Sequence, residues 1–176
     1  MLANCISSLR LLMAPALVYL LWQDLFLWSL LLMLGALITD VADGFVARRL
    51  GQVTNLGGLL DHGSDALLVL CGLFVFTALN TIPWFLPFLV AVAFAQYVWD
   101  SGSLNRAPLR ASSIGKLNGM MYFAFVVLLI SREAFFLSIP TAAATSFMAW
   151  CLVLSTLISI LDRLVATCQA KRDPNN

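Results

Sequence analysis

Charge is scarce in this chain: ten Lys and Arg and nine Asp and Glu among 176 residues, 11% of the total, against 61% hydrophobic residues. Mean hydropathy is +0.94. A soluble globular domain carries about 25% charged residues, so this composition argues for an integral membrane protein. The net charge of +1 implies no surface for nucleic acid. Histidine occurs once, at His62, and the four cysteines (Cys5, Cys71, Cys151, Cys168) show neither CxxC spacing nor a histidine partner. That scatter argues against a zinc set or a disulfide framework and for small apolar packing residues. A basic segment ahead of the first apolar run is also lacking, and Arg10 interrupts that run, so a cleavable signal is not expected. Internal repeats and low-complexity segments are absent from the sequence.

What is there is a series of long apolar runs. They cover about residues 5–23, 25–49, 57–79, 84–99, 117–131 and 141–161. At about 20 residues per spanning helix, the length holds six spans and no separate soluble domain. The expected fold is an all-α membrane protein, one bundle of six transmembrane helices over residues 1–176. Arg10, Arg48, Arg49, Arg106, Arg110, Lys116, Arg163, Lys171 and Arg172 fall at the end of that bundle shared with the termini, and Arg132 alone at the other. Nine against one is a positive-inside bias that puts both termini in the cytoplasm.

The few acids are concentrated where they cost most. Asp40, Asp43, Asp61 and Asp65 lie in or beside apolar runs two and three, and a carboxylate at mid-membrane costs roughly 2.5–3.5 kcal/mol. Asp40 and Asp43 are i,i+3 and Asp61 and Asp65 are i,i+4, so each pair shares a helix face. If the two helices pair antiparallel around a turn near residues 50–55, the four carboxylates converge in one layer. An all-oxygen set points to magnesium or manganese ahead of calcium or zinc. Several carboxylates suit two ions, the arrangement that clamps attacking and leaving oxygens in displacement at phosphorus. Gly44, Ala47 and Gly57 leave room for a ligand near the backbone, and they suit small-residue helix packing equally. Arg48 is placed to grip a diphosphate or to serve, with Arg49, as a cytoplasmic anchor.

The run from Asp40 to Asp65 reads Asp, two residues, Asp-Gly, two residues, Ala-Arg, eight residues, Gly, three residues, Asp, three residues, Asp. At every fixed position it resembles the signature of the CDP-alcohol phosphatidyltransferase family, and Asn4, Ser7, Arg10 and Pro15 resemble the polar and proline positions of that family's first helix. The resemblance implies transfer of a substituted phosphate from a CDP-linked donor to a hydroxyl, with release of CMP. It implies that Asp40, Asp43 and Asp61 hold metal and that Asp65 helps ligate and acts as general base. By the same resemblance Gly44, Ala47 and Gly57 line the nucleotide site and Arg48 meets the donor phosphates, with Asn4, Ser7 and Arg10 nearby. His62 departs from the proline or serine many members carry there and is expected to pack near the site or to contact the acceptor rather than ligate metal. Ile114-Gly115-Lys116 resembles the Gly-Lys of members with phosphorylated acceptors such as glycerol 3-phosphate, with Leu-Asn-Gly following where those members continue differently. Arg106, Arg110 and Lys116 are thus candidates for the acceptor, or simply anchoring charges.

The expected function is transfer of a phosphatidyl group from CDP-diacylglycerol to a small polar alcohol at the cytoplasmic face of a bacterial inner membrane, by a Mg2+- or Mn2+-dependent homodimer embedded in membrane lipid. Three rivals stand beside it. A CDP-choline or CDP-ethanolamine phosphotransferase would use diacylglycerol as acceptor. A proton or cation transporter would explain buried carboxylates but not Gly-x-x-Ala-Arg or the glycine before Asp61. An aspartate-rich prenyltransferase usually needs a longer chain.

Overall fold

Stretches rich in Leu, Ala and Met, with few breakers, wind into helices. The computed structural model describes the backbone of residues 2–50, 55–100 and 113–172 and the side chains of 10–42, 62–98 and 114–166. Among the described residues there are six helices and no strand: α1 (Leu2–Trp22), α2 (Phe26–Leu50), α3 (Asn55–Ala78), α4 (Leu86–Asp100), α5 (Ser113–Ala134) and α6 (Ala142–Arg172).

Three helices end in the same way. Asp24, Asn80 and Phe136 adopt positive φ (56°, 56° and 52°) just past α1, α3 and α5. The next amide in each case reaches back five residues: Leu25 to the Leu20 carbonyl, Thr81 to Phe76 and Leu137 to Arg132, all at 2.9 Å. These are Schellman closures, which satisfy carbonyls a helix end would otherwise leave open. The turns after α1 and α5 sit side by side around a shallow cavity lined by Asp24, Trp28, Glu133 and Phe136. At the start of α6, Thr141 is the N-cap, its hydroxyl accepting from the Ala144 amide at 3.3 Å.

Two boundaries differ from the apolar runs. α5 begins at Ser113, not near residue 117, and α6 continues to Arg172, well past the run that ends near residue 161. Apolarity marks where a helix meets lipid or core, whereas backbone hydrogen bonding needs neither, and no Gly or Pro interrupts residues 161–172.

α1 packs between α2 and α3, α5 lies across α2 and α3, and α4 and α6 pair and close onto α3 and α5. Leu17, Leu21, Met33, Leu73, Phe76, Val126 and Ile130 are fully buried where these faces meet. The outside is apolar too, with Leu12, Ile38, Val41, Phe147 and Leu161 exposed. Stretches Ile114–Ala134 and Ala142–Ala166 are long and apolar enough to cross a membrane, while the described apolar parts of the other four helices are shorter.

Between α5 and α6 runs a polar seam. Tyr122 Oη and Thr156 Oγ1 are 2.6 Å apart, Ser155 Oγ donates to Asn118 Oδ1, and Ser159 and Arg163 are buried along the same face of α6. These hydrogen bonds tie α5 to α6 across their interface.

Candidate active site

Asp40 lies ten residues before the end of α2 at Leu50, and Asp65 ten residues after the start of α3 at Asn55. Both carboxylates meet on α1, the helix that packs between α2 and α3. A guanidinium stands between them. Arg10, from α1, donates through one atom, Nη1, to Asp40 Oδ1 at 2.9 Å and to Asp65 Oδ1 at 2.5 Å. Three helices are thus joined at one nitrogen.

The exposure of the three groups is uneven. The Arg10 side chain is 0% exposed, whereas Asp40 and Asp65 are 34% and 37% exposed. The cation is sealed in the bundle and the carboxylates open outward from it. Charge-assisted hydrogen bonds of this type are the strong ones, and one positive charge against two negative leaves the trio net negative. Two carboxylate oxygens from different helices converging on one cationic atom fit the needs of a hard divalent ion, which binds oxygen at about 2.0–2.6 Å. Among the described residues no three metal-capable side chains cluster. The side chains of Asp43 and Asp61, which would complete the set, lie outside those described.

The same holds for Asn4, Ser7, Gly44, Ala47, Arg48 and Gly57: each falls on the described backbone of α1, α2 or α3, and its side-chain surroundings lie outside the described residues. Arg106 and Arg110 lie outside them altogether. Lys116 is exposed in the first turn of α5. His62 is exposed on α3, with its ring edge-on to Tyr97 of α4 (centroids 5.9 Å apart, planes at 79°).

Reading by residue type missed two things. The first is the contact made by Arg10, which the resemblance places near the donor and which clasps two of the four aspartates. The signal was present: an arginine in an apolar helix needs counter-charge as much as an aspartate does. The second is Arg163, taken only as a cytoplasmic charge. It is 9% exposed, its guanidinium carbon lies 5.2 Å from the Tyr97 ring centroid, and it packs on Gly115, where an added Cβ would fall 2.6 Å from Nη2. Arg163 therefore links α4, α5 and α6 beside Lys116, and no local spacing in the sequence announces it.

Comparison with known proteins agrees with the motif. The model of the family described as CDP-alcohol phosphatidyltransferase matches residues 1–166. A cardiolipin synthase (CMP-forming) of Streptomyces coelicolor is 29% identical over 128 residues, 70% of this chain and 60% of that protein. A CDP-diacylglycerol--glycerol-3-phosphate 3-phosphatidyltransferase of Aquifex aeolicus is 35% identical over 74 residues, 42% of each chain. A protein of the same description from Wigglesworthia glossinidia brevipalpis is 26% identical over 147 residues, 77% of this chain and 80% of that one. The match thus spans less than two thirds of the S. coelicolor and A. aeolicus proteins.

Proposed function

This chain belongs to the CDP-alcohol phosphatidyltransferase family, and on that premise we propose that it transfers a phosphatidyl group from CDP-diacylglycerol to the hydroxyl of a glycerol-bearing acceptor, releasing CMP. The observation that carries the proposal is the convergence of Asp40 and Asp65 on a single cationic atom, within a signature that keeps every fixed position from Asp40 to Asp65. A transporter's carboxylate relay needs no such signature.

In this reading Asp40, Asp43 and Asp61, with Asp65 helping to ligate, hold one or two Mg2+ or Mn2+ ions, as suits a family generally dependent on divalent metal. When bound, such ions neutralise a diphosphate and stabilise departing CMP. Asp65 takes the proton from the acceptor hydroxyl at its oxygen; its partial exposure leaves it accessible to an incoming alcohol. Gly44, Ala47 and Gly57 admit the nucleotide, and Arg48, with Asn4 and Ser7, orients the donor phosphates. The acyl chains lie among the apolar helix faces. The six helices span the inner membrane with the site at the cytoplasmic face, consistent with the nine-to-one distribution of basic residues, and the protein acts as a homodimer.

For the acceptor, glycerol 3-phosphate is supported by the two relatives of that description and by the basic Lys116, Arg106 and Arg110. Cardiolipin formation, which would take a phospholipid acceptor, is favoured by the S. coelicolor relative. Purified protein supplied with CDP-diacylglycerol and a panel including glycerol 3-phosphate, phosphatidylglycerol and inositol separates these by CMP release and lipid product. Failure with every CDP-linked donor would sink the proposal.

A further inference from the structure

Arg10 donates to Asp40 and Asp65 through the same nitrogen. Both oxygens therefore lie within hydrogen-bond reach of one atom, and that atom already carries positive charge. A divalent ion bridging the same two oxygens on the side that Nη1 occupies would have to take its place. Arginine does not deprotonate in proteins, so the guanidinium cannot yield by losing its charge; it can yield only by moving. The trio stays net negative, so it goes on attracting a dication while the guanidinium is in place. The carboxylates are partly exposed while the Arg10 side chain is buried, so an ion can reach the oxygens that Arg10 holds.

We infer that the Arg10 guanidinium and the divalent ion are alternative occupants of the Asp40/Asp65 oxygen pair, so that Arg10 holds the carboxylates converged without metal and competes with metal as it binds. The inference rests on the metal-dependent reading above and adds to it a role for Arg10 as a positioning residue. It separates from two simpler roles. A pure donor contact at Arg10 would leave metal affinity in the absence of donor unchanged, and a pure scaffold would make metal binding weaker once removed.

The test is Mn2+ titration of the full chain in detergent micelles after chelator stripping, with free Mn2+ read by electron paramagnetic resonance. Arg10→Gln removes the charge and keeps a hydrogen-bonding side chain. It is expected to bind Mn2+ at least about 5-fold more tightly than the wild type, the lower end of measured coupling between sites. Its metal-free Tm should fall, and saturating Mn2+ should close most of the gap to the wild type. Equal or weaker Mn2+ binding by Arg10→Gln overturns the inference; if the wild type still releases CMP with Mn2+, the proposed function survives that result. Absence of Mn2+ binding by both proteins sinks this inference and the metal-dependent reading together. Should Arg10→Gln fail to fold, wild-type protein labelled with 15N-arginine serves instead. The Arg10 side-chain signal, assigned by its loss in Arg10→Lys, should shift on adding Mg2+, and an unchanged signal overturns the inference.

Discussion

Gly72 sits on α3 two turns beyond Asp65, on the same helix face. A Cβ added there would lie 2.7 Å from Cγ1 of Val126 on α5, with the other near atoms, at 3.5 and 3.7 Å, belonging to the same valine. Ordinary contact begins near 3.4 Å, so the pair must separate by about 0.7 Å. Val126 cannot simply turn aside. A β-branched residue in a helix has one strongly preferred χ1, and leaving it costs about 0.5–1.5 kcal/mol; Val126 is also fully buried. The strain therefore passes to the α3–α5 distance, and α3 carries Asp65. A misplacement of about 1 Å far from the chemistry can cost about 100-fold in rate. Gly72→Ala is accordingly expected to lower CMP release by about 10- to 100-fold while no site residue is altered. Its stability falls by only about 1 kcal/mol, since overpacking of about 1–3 kcal/mol is offset by the roughly 1 kcal/mol helix preference of Ala over Gly. Val126→Ala removes the opposing methyl groups, so Gly72→Ala/Val126→Ala should regain most of the lost turnover. Steady-state CMP release and detergent Tm on the three variants decide it. Wild-type turnover in Gly72→Ala, or no recovery in the double variant, would refute the chain from helix spacing to site geometry.

Other expectations concern individual hydrogen bonds and charges. Asp65→Asn keeps an oxygen that can accept from Arg10, so the fold should persist and CDP binding should stay within a few-fold of the wild type. Turnover should drop by about 100- to 10,000-fold with loss of the general base; near-normal turnover would remove that assignment. Tyr122→Phe deletes the 2.6 Å bond to Thr156, whose hydroxyl keeps its bond to the Leu152 carbonyl. The expected loss is about 0.6 and at most about 1.7 kcal/mol, the range measured for hydrogen bonds between membrane helices, read by SDS-induced unfolding; a loss well above that range would mean the seam acts as a unit.

The core of the site was legible because charge in an apolar helix is expensive and so carries information. Four aspartates at i,i+3 and i,i+4 spacing predicted two helix faces meeting around a turn near residues 50–55; Asp40 and Asp65 do meet at Arg10, but through α1, which packs between α2 and α3, and Asp43 and Asp61 lie outside the described side chains. The same argument applied to Arg10 would have paired it with them, but as a cation it suggested a phosphate partner more readily than a carboxylate one. The α5–α6 seam was less legible, since Asn118, Tyr122, Ser155 and Thr156 are ordinary neutral residues whose importance comes only from facing each other. The extra length of α6 escaped because an apolar run records the environment of a helix and not its hydrogen bonds.

In the six-span topology proposed above, the three-helix junction at Arg10 also bears on how the chain enters the membrane. Its two counter-charges are 30 and 55 residues further along, so at about 5–20 residues per second Asp65 is made roughly 3–11 s after Arg10. During that interval the nascent first helix carries an arginine that costs about 2.5–3.5 kcal/mol at mid-membrane and has not met its acids. Its place near the start of α1 lets the side chain reach toward the cytoplasmic headgroups meanwhile. Sealing it inside the bundle awaits the arrival of α3, which makes insertion of the first three helices a joint event and turns the balance of charge in the site into a check on the order of biogenesis.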